Sequence, residues 1–125
     1  MHEFTTAQSI LSTVLKVAAQ NEAEKVTEIA LEISTLSHLN RDQLIFCLKA
    51  LAEETLARDA RIRIIERDVR ALCDKCGYHG PIEVRGDPFE ALISAKCPKC
   101  GSRDIEIEGQ NDCILKHIRV KKRPT

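Results

Sequence analysis

Two cysteine pairs hold the most specific chemistry in the chain. They read Cys73-Asp-Lys-Cys76-Gly and Cys97-Pro-Lys-Cys100-Gly, with twenty residues between Cys76 and Cys97. Two residues between thiols let a tight turn aim both sulfurs at one point. Gly77 and Gly101, directly after each pair, supply the positive φ that such a turn favours. Two such knuckles facing each other make a tetrahedral four-sulfur site, a geometry zinc takes without strain. All four positions are cysteine, so none is left open for water, and the pattern points to structural rather than catalytic zinc. Disulfides or a redox dithiol use the same residue type, but nothing in the sequence suggests an oxidising compartment.

His2 is the second candidate. Its large side chain predicts retention of Met1, because removal of an initiator methionine requires a small second residue. The Met1 amine, the His2 amide nitrogen and the His2 imidazole then form fused chelate rings on one ion. The amide nitrogen of Glu3 can complete a four-nitrogen plane if the imidazole turns back. Planar nitrogen donors suit Ni²⁺ or Cu²⁺ rather than Zn²⁺.

Composition narrows the rest. Lys and Arg total 19 and Asp and Glu total 19, so no global attraction to nucleic acid or membrane is expected. Aromatic residues make up 3% with no Trp, which removes most stacking platforms for single-stranded nucleic acid. No apolar run is long enough to span a bilayer, and Met-His-Glu-Phe-Thr-Thr does not open a signal peptide. Together with the cysteine usage, this predicts a cytoplasmic protein that neither spans a membrane nor binds nucleic acid. There is no Gly-rich phosphate loop and no nucleophile pair, so no enzyme is expected.

The elements that must position these residues follow in order. A helix capped by Thr5 or Thr6 buries Ile10, Leu11, Val14, Leu15 and Ala18 on one face and stops near Asn21. Val26 to Ile33 alternates as a half-buried strand, with Ile29, Leu31 and Ile33 inward. Asn40 and Gln43 have the spacing of an N-cap and its partner. The second helix they open shows Leu44, Cys47, Leu48 and Leu51 on one face and ends near Thr55 or Ala57. Ala60 to Arg67 alternates again, and a strand–helix–strand crossover of this kind implies parallel strands. Val69 and Ala71 lead into Cys73, and Asp104 to Glu108 leaves the second knuckle as a short strand. Gly80-Pro81 and Gly86-Asp87-Pro88 punctuate the segment between the knuckles, and Gly109 to Asp112 is a turn. Ile114 to Val120 is a last strand, with Ile114, Ile118 and Val120 on one side, and its apolar face needs the first sheet for cover. The expected architecture is α+β. Two helices pack on a small mixed three-stranded sheet, and a zinc-ribbon module is inserted. Residues 1–68, completed by strand 112–121, form the base, and residues 69–111 form the zinc module.

The remaining candidates have plainer readings. Cys47 is a core thiol on the apolar face of helix two, and Cys113 packs at the start of the last strand. His38 and His117 read as surface or hydrogen-bonded histidines. His79, just past the first knuckle, is the best of these for a role beside the zinc, as a partner to a thiolate or a pH-sensitive group. Glu22, Glu24, Glu28 and Glu32 read as solvated surface, and the charges from Lys116 to Arg123 as a protected edge strand.

Taken together, Met1-His2-Glu3, Ala7-Gln8-Ser9-Ile10, Leu31-Glu32-Ile33 with Leu36-Ser37-His38-Leu39, and the paired knuckles resemble the HypA/HybF family. That family comprises nickel metallochaperones of [NiFe]-hydrogenase maturation, some of which also serve urease. The likeness runs from residue 1 to about residue 120. It implies Ni²⁺ as cargo, bound at the N-terminus through His2 with backbone nitrogens near His2 and Glu3. It implies structural Zn²⁺ at Cys73, Cys76, Cys97 and Cys100. It also implies two partners, the GTPase HypB and the hydrogenase large-subunit precursor. The chain departs from the family pattern at Ser34 and at Arg58-Asp59, where glycines are usual, which bears on loop geometry. A zinc ribbon that binds a protein or nucleic acid is the alternative reading, and nickel titration against a salt-dependent DNA-binding assay separates the two.

Overall fold

In a computed structural model the chain forms three helices and six strands, described over residues 2–84, 87–109 and 113–124. Two compact units emerge. One comprises residues 1–32, 39–65 and 113–125, and the other comprises residues 33–38 and 66–112.

The first unit opens with α1 (His2–Gln20), which buries Ala7, Ile10, Leu11, Val14 and Ala18 along a single stripe. The helix starts at His2, so Thr5 and Thr6 lie inside it and do not cap it. It ends where Asn21 turns back on it. The Asn21 backbone N–H and side-chain Nδ2 both donate to the Val17 carbonyl, at 3.1 and 2.8 Å, and Glu22 takes a φ of 54° to reverse the chain. β1 (Ala23–Ser34) follows, with Ile29, Leu31 and Ile33 almost fully buried. α2 (Arg41–Ala52) is capped by the Asn40 side chain, which accepts from the Gln43 amide at 3.0 Å. Leu44, Cys47, Leu48 and Ala52 form its buried face, and it stops at Ala52. There the Thr55 amide and hydroxyl both bond the Ala52 carbonyl and turn the chain. β2 (Arg61–Arg67) returns to the sheet, and β6 (Cys113–Lys122) closes it.

The strand order is β2-β1-β6. The Val26 amide donates to the Leu56 carbonyl ahead of β2, and the Thr35 amide donates to the Arg67 carbonyl at its end, so β1 and β2 run the same way. Lys116 meets Glu32 while the Arg123 amide meets the Glu22 carbonyl, so β6 runs antiparallel to β1. The sheet is therefore mixed, and the last strand joins it as its apolar face requires. Helices α1 and α2 pack on each other and on this sheet. On β6 a prediction fails in detail: Ile114 is 44% exposed. Lys116, His117 and Arg119 all reach acidic residues of β1, so the alternation shifts before Ile118 and leaves Ile114 outside the core.

The second unit holds a smaller antiparallel sheet, in the order β4-β3-β5, built from β3 (Val69–Cys73), β4 (His79–Ile82) and β5 (Ile105–Glu108). The sequence reading took Gly80-Pro81 as punctuation. Both lie inside β4, with Pro81 opposite Arg70 on an edge strand, where a missing N–H costs no ladder bond. Gly86-Asp87-Pro88, the other expected break, leads into a third helix, α3 (Pro88–Ser94), that the sequence reading does not assign. Asp87 accepts from the Glu90 amide at 2.9 Å and Pro88 stands in the first turn, so the same residues that suggest a turn cap a helix. Leu36, Val69, Ala71, Ile82, Ala91 and Ala95 form this unit's core. The expected turn from Gly109 to Asp112 falls on residues 110–112, outside the described residues.

Candidate metal centres

The two knuckles are near copies. The Gly77 amide donates to the Cys73 carbonyl at 3.1 Å, and the Gly101 amide donates to the Cys97 carbonyl at 2.9 Å. The Cys73 amide donates to Tyr78 at 2.7 Å, and the Cys97 amide donates to Ser102 at 2.8 Å. Gly77 and Gly101 sit at φ of 77° and 74°. A Cβ at either would meet nothing within 4 Å, so glycine is needed for its backbone conformation and not for space. A bond from the Asp74 amide to the Asp104 carbonyl, at 2.9 Å, ties the first knuckle to the chain leaving the second.

The four sulfurs converge, all lying within 4.8 Å of one another. Cys73 Sγ is 3.6 Å from Cys100 Sγ, and Cys76 Sγ is 3.6 Å from Cys97 Sγ. A tetrahedron with zinc–sulfur bonds of about 2.3 Å has edges of about 3.8 Å, so the spacing fits zinc. A disulfide needs about 2.05 Å, and all four cysteines are free thiols. Bonds from the Cys76 and Lys75 amides lower Cys73. Burial opposes ionisation of Cys97, but the Cys100 and Lys99 amides and the Cys76 thiol outweigh it and bring Cys97 to about 7. The Tyr78 amide lowers Cys76, but burial and the neighbouring thiols of Cys97, Cys73 and Cys100 outweigh it, and Cys76 is pushed up to about 11. Backbone N–H groups thus already favour negative charge on part of the cluster, and a bound cation takes the place of the remaining protons. Four converging cysteine sulfurs with no open position fit a structural zinc.

His79 does not point at a thiolate. Its Nε2 lies 2.8 Å from Glu108 Oε1, spanning from β4 to β5, so the expected partnership with the zinc sulfurs gives way to a contact with this carboxylate. Glu28 is more than solvated surface. Its carboxylate, 13% exposed, receives His117 Nε2 and Arg119 Nε, each at 3.2 Å. The His117 hydrogen bond, aided by the charges of Arg119 and Arg63, holds the Glu28 carboxyl below its ordinary value. His117 is a hydrogen-bonded histidine, as read from the sequence, and Cys47 is buried in the core. His38 is exposed.

At the other candidate site, His2 is exposed and is the first residue of α1, with Glu3 partly buried in its first turn. Met1 lies outside the described residues. Among the described residues the four cysteines are the one cluster of three or more metal-binding side chains. A site at His2 must therefore draw on backbone donors, which side-chain geometry alone does not reveal. No helix among the described residues is long and apolar enough to cross a membrane.

Comparison with known proteins agrees with this arrangement. A family model described as "Hydrogenase/urease nickel incorporation, metallochaperone, hypA" matches residues 1–120. The hydrogenase maturation factor HypA of Methanopyrus kandleri is 38% identical, covering 97% of this chain and 94% of its own length. That of Methanobrevibacter smithii is 40% identical, covering 98% of this chain and 97% of its own. The fold is similar to the solution structure of the nickel metallochaperone HypA from Helicobacter pylori, with a TM-score of 0.74 at 22% identity over 98% of this chain and all of that one. The chain belongs to the HypA family of nickel metallochaperones of hydrogenase and urease maturation.

Proposed function

We propose that this protein carries Ni²⁺ on the first turn of α1 and hands it to a hydrogenase precursor, while zinc on Cys73, Cys76, Cys97 and Cys100 holds the second unit in shape. The observation that carries the nickel assignment is the helical start at His2. The first four N–H groups of a helix have no intrahelical acceptor, so the amides of His2 and Glu3 are free for a metal. Helical ψ is near −42°, and ψ is the torsion that relates successive backbone nitrogens. That value places neighbouring nitrogens on the same side of the chain, as a five-membered chelate ring requires, whereas an extended strand would turn them apart. The exposed imidazole of His2 adds the side-chain donor, and the Met1 amine completes the set. Planar nitrogen ligation of this kind suits nickel.

The family is one of delivery proteins rather than enzymes. Release follows from the ligand chemistry. Amide nitrogens bind only when deprotonated, so uptake of protons during ligand exchange with an acceptor's thiolates or imidazoles frees the ion. We assign nickel to the base formed by residues 1–68 and strand 112–121, and zinc to residues 69–111. The partners in this reading are the GTPase HypB and the hydrogenase large-subunit precursor, met in the cytoplasm.

The test is transfer. Protein loaded with radioactive nickel is mixed with purified HypB, GTP and large-subunit precursor, and nickel on the precursor is counted. The expected result is transfer from wild type and a loss of at least tenfold with His2→Ala at equal zinc content. Equal transfer from both would overturn the assignment.

A further inference from the structure

Helix α3 is built inside out. Its Ala91 is fully buried and Ala95, at its C-cap, is 5% exposed, so small residues face the core of the second unit. Its large apolar residues face water: Phe89 is 70% exposed, Ile93 57% and Leu92 39%. Positions 89, 92 and 93 share one stripe by helical spacing. A surface helix ordinarily turns such a stripe inward. The reversal is held in place rather than loose. The Asp87 cap fixes the first turn, the Ser94 hydroxyl bonds the Glu90 carbonyl at 2.9 Å in the last, and the two alanines seat the inner face.

Charge and area indicate what covers this stripe. The balanced total of the chain hides an asymmetry. Residues 33–38 and 66–112 carry ten acidic and seven basic residues, whereas the rest carries nine acidic and twelve basic. A zinc ion on four thiolates adds two further negative charges to the acidic unit. Among the described residues on and beside α3, Glu83, Asp87 and Glu90 are exposed, against the exposed cation Lys96 just past its C-terminal end. The three side chains offer on the order of 300 Å² of apolar surface, against about 800 Å² per partner in a stable dimer. A permanent contact between copies of this chain needs far more than that, whereas a partner engaged only during transfer does not.

We propose that the outer face of α3 docks transiently into an apolar groove with a basic rim on a protein partner in nickel transfer, with Phe89 as the anchor. This docking rests on the delivery function proposed above. It requires no contact with nickel and places recognition on the zinc unit, away from the cargo donors in sequence. It also gives the zinc a purpose beyond stability, since the metal holds together the scaffold on which α3 is displayed.

The test uses Phe89→Ser combined with Ile93→Ser, and separately Glu90→Lys, in the full chain. Both alter exposed side chains, so one zinc per chain and wild-type nickel titration are expected in each. Binding to purified HypB and to purified large-subunit precursor is measured by calorimetry at low and high salt. The expected result is that the double variant binds one of these two proteins at least tenfold more weakly. Glu90→Lys should weaken the same complex several-fold at low salt, with the difference shrinking at high salt. Wild-type affinity for both proteins in the double variant overturns the proposal. So does a concentration-dependent dimer of the wild type, seen by sedimentation, that the double variant abolishes, because the stripe would then be a self-contact. If the delivery reading itself is wrong, wild type binds neither protein, an outcome distinct from a docking face that is misplaced.

Discussion

At the scale of single residues, the two sites differ in how they are built. The zinc site is made of side chains whose spacing alone aims them at one point, so it was legible from Cys73 to Cys100. Its backbone support was legible too, since a glycine after each pair calls for the positive φ found at Gly77 and Gly101. Replacing Gly77 by Ala forces an L-residue into the left-handed region, at about 1–2 kcal/mol, and weakens zinc retention without touching a ligand. Competition with a chelator measures this, and the variant should lose zinc at lower chelator concentration than wild type. Cys97→Ala goes further. Structural zinc in small modules is worth roughly 10 kcal/mol, so this variant should lose the metal and unfold the second unit while the helical unit keeps its own core. Elemental analysis with circular dichroism reads both effects, and stoichiometric zinc in the variant would show the ligand set to be wrong. His79 was less legible. Proximity in sequence to Cys76 suggested the zinc, but β4 carries its ring toward Glu108, and strand pairing is not visible in residue spacing.

At the scale of elements, periodicity located α1, α2, β1, β2 and β6, because each carries an apolar stripe or alternation, fully buried in α1, α2 and β1 and half-buried in β2 and β6. It failed for α3 and β4. Both are short, β4 contains Gly80-Pro81 and α3 opens on Pro88, and such residues serve caps and edge strands as well as turns. The β6 strand shows a second kind of gap. Its charges were read as edge protection, yet Lys116, His117, Arg119 and Lys121 pair with Glu32, Glu28 and Glu24 of β1. Cross-strand pairs of this sort set register. Glu28 is the hub, and its depressed pKa has a definite consequence. As pH falls below the ordinary carboxylate value of 4.5, the unfolded chain takes up a proton at this position before the folded chain does. The stabilisation from Glu28 is therefore complete above that value and lost as pH falls through the lower folded value. The protection factors of the β6 amides, which remove the intrinsic pH dependence of exchange, should fall through this window in wild type. Glu28→Gln should show lower protection at neutral pH and a smaller fall on acidification, and a pH response identical to wild type would remove Glu28 from the account.

At the scale of the whole molecule, the chain forms two compact units with opposite charge balance, and the proposed function gives the cargo to one and the zinc to the other. The order of elements predicted that β6, though it follows the zinc unit in sequence, returns to the first sheet. Removing the chain after Gly109 should thus lower the melting temperature of the helical unit and leave zinc bound, which thermal unfolding and metal analysis together report. What composition could not show is the charge asymmetry, because the zero total sums over both units. The proposed nickel site lies between these cases. Its motif is legible only because His2 stands second in the chain, and the donors assigned to it are largely backbone atoms. The most direct test is calorimetric titration of zinc-loaded protein with Ni²⁺, comparing wild type, His2→Ala and a form whose terminal amine is blocked by a short N-terminal tag. The account predicts one tight site in wild type, at least tenfold weaker binding in both altered forms, and unchanged zinc in all three. Equal nickel binding by all three would place the ion elsewhere and contradict it.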